Sequence, residues 1–283
     1  MERLQSAIEK ARGQRSVPPA PAATAAQAPA PAARAAVPPA DDLATRWQAL
    51  RQLDAGALSR SNPQIVTLRP GGTAAAAFDI LRTRISQQAQ INGWKKIAVI
   101  SPHSGCGKTL TCANLAFSFG RQAELRTMII DFDMRRAALA KVLGQKPQHT
   151  MGDVLEGRVA FGDHAMRHGN NVAIGLNSGP VDKSAELLQS NLARDALAAI
   201  AETYRPDLML FDVPPLRATD DSIGFLRQVD AALIIVAAEE TPMSQIDIAE
   251  RQVAELTNVM GIVLNKCRIM DGDYGYDSYG YTA

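Results

Sequence analysis

Cysteine is scarce in this sequence. Cys106, Cys112 and Cys267 are the only three in 283 residues, and their spacing fits neither a zinc site nor a disulfide framework. An odd, sparse set suits a reducing cytoplasm. No charge of one sign dominates either. Thirty Lys and Arg face 29 Asp and Glu, for a formal net charge of +1, which removes the basic excess expected of a nucleic-acid or membrane-surface binder. Long apolar runs are missing as well, and nothing approaches the ~20 residues that span a bilayer. The opening stretch MERLQSAIEKARGQR mixes both charge signs where a signal peptide would be apolar. These absences predict a cytoplasmic protein without a nucleic-acid partner, whose membrane association would run through another protein. Tyrosine is rare too, with five in the chain, so where each one falls carries information.

The sequence does hold enough apolar material, 46% of residues, for one large α/β domain with appendages. Residues 1–15 place Leu4, Ala7, Ile8 and Ala11 at helical spacing and read as a short amphipathic helix or a frayed terminus. Residues 16–41 are almost wholly Ala and Pro. Repeated Pro removes backbone donors and blocks helix growth, so a disordered tether is expected, running with one short helix (42–58) to residue 61. The main domain is expected over 62–268, extended at first and then helical over 73–91. From Lys95 onward, apolar runs of strand length recur at 97–100, 127–130, 172–176, 208–211, 231–237 and 260–264. Helical stretches (108–121, 184–204, 220–228 and 243–257) lie between most of them. Continuous apolar strands alternating with helices imply a mostly parallel sheet covered on both faces. Residues 269–283 leave this pattern and form a polar, Gly- and Tyr-rich tail.

The first strand runs into SPHSGCGKT, in which Gly105, Gly107, Lys108 and Thr109 match most of the Walker A loop. Glycines let backbone N–H groups curl toward phosphate oxygens, and the following helix adds its positive end. Lys108 would neutralise the β- and γ-phosphates of ATP, and Thr109 would place its hydroxyl on Mg²⁺. The expected first glycine is Pro102, which has no N–H to donate. His103 and Cys106 read as loop fillers, although Cys106 near positive charge could be oxidisable. The second strand ends in IIDFDMRR. Asp131 and Asp133 share a face at its C-terminal end, where parallel sheets bind ligands. One could hold Mg²⁺ and the other take a proton from an attacking hydroxyl. A third strand, LMLFDVPP, delivers Asp212, a Walker B carboxylate suited to Mg²⁺. Asp220 and Asp221 read as helix caps for 221–229.

Four of the five tyrosines, Tyr274, Tyr276, Tyr279 and Tyr281, fall within the last ten residues. Neighbouring Gly and Asp offer no partners for burying the rings. Flexible spacing would let each phenol enter an active site as an extended peptide.

Together SPHSGCGKT, IIDFDMR, LMLFDVPP and DYGYDSYGY resemble the motifs of the bacterial tyrosine kinases, the autokinases of capsule and exopolysaccharide synthesis, over roughly residues 62–283. The N-terminal helix and Pro-rich tether are similar to the exosortase-associated branch. The resemblance implies a P-loop fold of the MinD/ParA type and ATP with Mg²⁺ as cofactors. It implies nucleotide contacts from Ser104, Gly105, Cys106, Gly107, Lys108, Thr109 and Leu110, with Asn265 reading the adenine. Lys108, Asp131, Asp133 and Arg135 would serve catalysis, with Thr109, Asp133 and Asp212 on the metal and the four tail tyrosines as acceptors. It also implies an activating membrane chain-length regulator of polysaccharide export and a cognate tyrosine phosphatase, with the protein peripheral at the inner membrane. One motif departs. Where the family carries Glu-x-x-Arg-x-x-Arg for ring assembly, this chain has Ala76, Asp79 and Arg82, so the homo-oligomer would need other contacts. Two other readings share the same motifs. One is a switch ATPase of the partition and division-site type, whose loop carries a lysine where this chain has His103. The other is a non-catalytic ATP-binding regulator of polysaccharide polymerisation.

Overall fold

Alternate residues of the central strands point to opposite faces, and both faces are apolar. In a computed structural model, which describes residues 40–60, 62–69, 71–217 and 220–267, Ala98, Ile100, Met128, Ile130, Met209 and Phe211 enter one buried cluster. Ile97, Val99, Ile129, Leu208 and Leu210 enter a second, on the other face. A strand that is apolar on both faces must be covered on both. The strands are β1 (Arg51–Gln52), β2 (Lys96–Ile100), β3 (Thr127–Asp131), β4 (Met166–His168), β5 (Val172–Gly175), β6 (Leu208–Asp212), β7 (Ala231–Ala237) and β8 (Asn258–Asn265). They form one sheet in the order β1-β4-β5-β3-β6-β2-β7-β8. Every pairing is parallel except β4 with β5. The mostly parallel, two-face-covered α/β sheet is therefore as expected.

β3, β6 and β2 are neighbours at the centre of this order. Their C-terminal ends carry Asp131, Asp212 and the loop that leads to Lys108. Asp131 stands directly across from Asp212 in the register, and Asp212 across from Val99. Adjacent parallel strands thus bring three chain segments far apart in sequence to one edge of the sheet, the edge where such folds bind ligands.

The N-terminal part differs from expectation. The single helix over 42–58 is instead a helix at Ala40–Ala49, the strand β1, and a five-residue helix at Ala55–Ser59. Leu50 belongs to one core and Leu53 to the other. Residues three apart share a face of a helix but take opposite faces of an extended chain, so burying both leucines requires the chain to open. The opening is stabilised by pairing with Met166 and Arg167 and by a 2.9 Å bond from Leu53 N–H to the Arg167 carbonyl. Asp54 then caps the short helix, accepting from Ala57 N–H at 3.0 Å. The folded domain consequently starts near residue 40, not 62. Trp47, 1% exposed, donates its indole N–H to the Tyr204 carbonyl at 2.8 Å and meets that ring edge-on. Trp47→Ala should lower unfolding stability by about 3–5 kcal/mol, read by urea denaturation. A loss under ~1 kcal/mol would mean this segment is dispensable to the core.

Two smaller differences have simple causes. The helical stretch 184–204 breaks at Ser190, which turns extended and caps the second half by accepting from Ala193 N–H at 3.1 Å. β4 has three residues, too few to show a period. The N-terminal helix, the tether as far as residue 39 and the tyrosine tail lie outside the described residues.

Candidate nucleotide site

The phosphate-loop geometry follows from two glycines. Gly105 and Gly107 hold φ of +89° and +92°, a region that L-residues with a Cβ rarely adopt. An added Cβ at Gly105 would meet nothing within 4 Å, whereas one at Gly107 would strike the Asn265 side chain. Gly107 precedes a thirteen-residue helix, Lys108–Gly120, and Thr111 N–H bonds back to the Gly107 carbonyl at 2.9 Å. The first turn of that helix points at the strand edge carrying the carboxylates. Such an arrangement presents N–H groups and a positive helix end to an anion.

Lys108 is 5% exposed, and Asp131, Asp133 and Asp212 are 0, 3 and 0% exposed, so all four charges sit out of bulk water. Burial raises the Asp131 carboxyl well above the usual range, and the Asp212 and Asp133 charges push it further. Burial raises Asp133 too, opposed by Lys108 and Arg136. It lifts Asp212 to about 6, with Lys108 and the Thr109 hydroxyl pulling the other way. One lysine thus offsets only part of the mutual repulsion of three carboxylates. Asp131 Oδ1 and both Asp212 oxygens are buried with no hydrogen-bond partner of normal geometry. Buried acceptors are ordinarily satisfied, so this cluster leaves room for an added donor or cation. Among the described residues, no group of three acidic, His or Cys side chains closes a metal cage by itself. A hard ion that retains water and phosphate ligands, as Mg²⁺ does, fits this donor set better than a fully caged one.

Residues 97–273 match the CobQ/CobB/MinD/ParA nucleotide-binding domain, which accounts for the loop and for the expected MinD/ParA-like fold. Tyrosine-protein kinase CpsD of Streptococcus pneumoniae is 31% identical over 186 residues, covering 64% of this chain and 80% of that protein. The chain belongs to the bacterial tyrosine kinases. Tyrosine-protein kinase Wzc of Salmonella typhi is 29% identical over 218 residues, 75% of this chain, yet this chain spans only 29% of Wzc. The kinase domain of Escherichia coli tyrosine kinase ETK shares the fold, with a TM-score of 0.65, 19% identity, and coverage of 81% of this chain and 94% of that one. Among the described residues no helix is long and apolar enough to cross a membrane.

Within this chain, the structure brings Lys108, Thr109, Asp131, Asp133 and Asp212 together, and it gives other residues work that the sequence did not show. Asp221 is not a helix cap. It is fully buried inside the helix Asp220–Leu226, where its carboxylate accepts from the Ser184 hydroxyl and from Arg135 Nη2 at 2.9 Å and Nε at 3.2 Å. Arg135 is therefore held in a fork against Asp221, with its side chain about half exposed. Nothing in the local sequence marks this pair, which is 86 residues apart. Asn265 reaches the loop, but its amide N–H₂ donates to the Cys106 carbonyl at 2.9 Å, which ties β8 to the phosphate loop. His103 also ties elements together. Its ring nitrogens lie 2.8 Å from the Ser104 carbonyl and 3.0 Å from the Thr241 hydroxyl. Cys106 is completely buried beside that ring, a placement that shields its thiol from oxidants in solvent. Ser104 and Gly105 are exposed, and Leu110 is half-buried behind the loop.

Proposed function

We propose that this protein is an ATP-dependent tyrosine kinase that phosphorylates its own C-terminal cluster, Tyr274, Tyr276, Tyr279 and Tyr281, in the control of exopolysaccharide or capsule synthesis. The observation that carries this reading is the buried trio of carboxylates around Lys108, electrostatically incomplete without a cation. The tyrosine cluster in the sequence supplies the acceptor.

Loop N–H groups and Lys108 would hold the β- and γ-phosphates. Thr109, Asp133 and Asp212 would hold Mg²⁺, which when bound adds positive charge against the phosphate oxygens. A tail phenol oxygen bonds to the γ-phosphorus as the bond to the ADP oxygen breaks. The phenolic proton passes to Asp131 or Asp133, whose raised basicity suits that task. Positioning and charge stabilisation provide most of the rate in such transfers. A membrane chain-length regulator would activate the kinase at the inner membrane, and a tyrosine phosphatase would reverse it.

The test is incubation of the full chain with labelled Mg·ATP, beside a variant with all four tail tyrosines changed to Phe. Label in the wild type and its loss in the variant support the reading. Label retained in the variant places the acceptor elsewhere. ATP hydrolysis without label, even with a regulator's cytoplasmic segment added, would make the protein a switch ATPase.

Arg135 would stabilise charge on the phosphoryl group in flight. Its bidentate anchor gives a further expectation. Asp221→Asn keeps an acceptor for Ser184 but loses the charge-assisted fork. Turnover should fall about 10-fold or more as Arg135 loses its aim, with nucleotide KM within about twofold of wild type. A parallel rise in KM would assign the pair to ground-state nucleotide binding instead.

A further inference from the structure

One cavity on the described surface lies apart from the nucleotide site. It is a groove of about 740 Å³ lined in part by Lys96, Arg194, Leu197, Ile223, Arg227 and Gln228. None of its residues belongs to the phosphate loop or the carboxylate trio. Lys96 opens β2, at the opposite end of that strand from the loop. Three cations line the groove and no carboxylate does. Among the described residues, the side chains of Lys96, Arg194 and Arg227 make no ion pair. Asp230 is close to Lys96, but its Oδ2 accepts the backbone N–H groups of Lys95 and Lys96 at 2.7 and 2.8 Å. Leu197 is buried and Ile223 is 42% exposed, which gives the groove apolar surface between the charges. Gln228 donates to the Leu188 carbonyl at 2.6 Å, while its Oε1 is buried without a donor. A ligand matched to this lining carries several negative charges, flat apolar groups and an N–H or O–H.

The chain's own C-terminus has that chemistry. Residues 269–283 contain Asp271, Asp273, Asp277 and four tyrosines, with no Lys or Arg. Each tyrosine would gain roughly 1.5–2 negative charges on phosphorylation. Arginine is the side chain best shaped to fork onto a phosphate. The described chain ends at Cys267, and the 16 residues from 268 to 283 can span roughly 55 Å.

We propose that this groove docks the tyrosine-phosphorylated C-terminal segment, residues 268–283, of this same chain. Docking would draw the product away from the anionic nucleotide site and hold it clear of another round of transfer. The proposal rests on tail phosphorylation as read above. A synthetic phosphopeptide lets the two be tested separately, because it supplies the modified tail whether or not the protein makes it.

The experiment is fluorescence anisotropy of a labelled peptide of residues 268–283, phosphorylated on all four tyrosines, titrated with the phosphatase-treated full chain. Binding should weaken at least ~10-fold with the unphosphorylated peptide, and by a similar factor in the protein variant carrying Arg194→Glu and Arg227→Glu. It should also weaken with added salt and be indifferent to Mg·ATP. If the double reversal does not fold, as judged by circular dichroism, Arg227→Gln is measured and should cost at least ~3-fold. Equal binding to wild type and variant would overturn the proposal. So would displacement of the peptide by Mg·ATP, or equal competition by a charge-matched polyglutamate.

Discussion

Replacing Lys108 with methionine should reduce phosphate transfer by about 10²- to 10³-fold, the usual cost of deleting one preorganised charge-stabilising group. Methionine keeps the length and apolar stem of lysine, so the 5% exposed position stays filled. What disappears is a cation that two of the buried carboxylates feel in common: Lys108 opposes the upward shift of both Asp133 and Asp212. Without it those carboxyls hold their protons more tightly at neutral pH. The variant should therefore lose affinity for Mg²⁺-nucleotide as well as rate, and its apo form should melt earlier than wild type. Labelled-phosphate incorporation gives the first effect, isothermal titration the second, and a thermal scan the third. Transfer within tenfold of wild type would move the phosphate-holding role to the loop backbone alone.

Much of this site could be read in the sequence because each part is local. A glycine-rich loop after an apolar strand, and Asp at a strand's end, are patterns spanning fewer than ten residues. Parallel pairing of β3, β6 and β2 then does the assembly. The parts that escaped are those made by distant pairs. Arg135 and Asp221 meet across 86 positions, and Asn265 and Cys106 across 159. No local pattern announces either contact. Asp221 looked like a cap because Asp commonly starts helices, yet its burial inside the fold gives it an arginine and a serine to hold. The same limit applies to residues 40–60, whose composition reads as a helix on a tether. Their strand exists only because Met166 and Arg167 present an edge and because Leu50 and Leu53 have cores on opposite faces to fill.

The carboxylates themselves predict an outcome of opposite sign to the lysine. Asp212→Asn should abolish most transfer, by ~10²-fold or more, and yet stabilise the protein without ligand. Asp212 has both oxygens buried with no hydrogen-bond partner of normal geometry, and burial lifts its folded pKa to about 6 from the ordinary 3.8. An acid with a raised folded pKa binds its proton more tightly folded than unfolded. The stability it permits is fully present below pH ~4 and is lost as pH rises to about 6. Above that the ionised group costs about 3 kcal/mol, from two pKa units at ~1.4 kcal/mol each. Asparagine has no charge to desolvate, so the variant escapes this cost, and its unpaired amide is cheaper to bury than a carboxylate. The difference in urea midpoint should therefore be large near pH 7.5 and nearly vanish near pH 4. Buried His164, whose pKa is lowered by desolvation, destabilises the folded state as pH falls below ~6.5. It does so equally in both proteins and cancels from the comparison. Added Mg·ADP should raise the wild-type midpoint and leave the variant nearly unmoved, since binding stabilises only a protein that keeps its ligand set. Unfolding curves that superimpose at both pH values would mean that Asp212 carries no penalty for its burial, and would remove the electrostatic argument for a cation at this site.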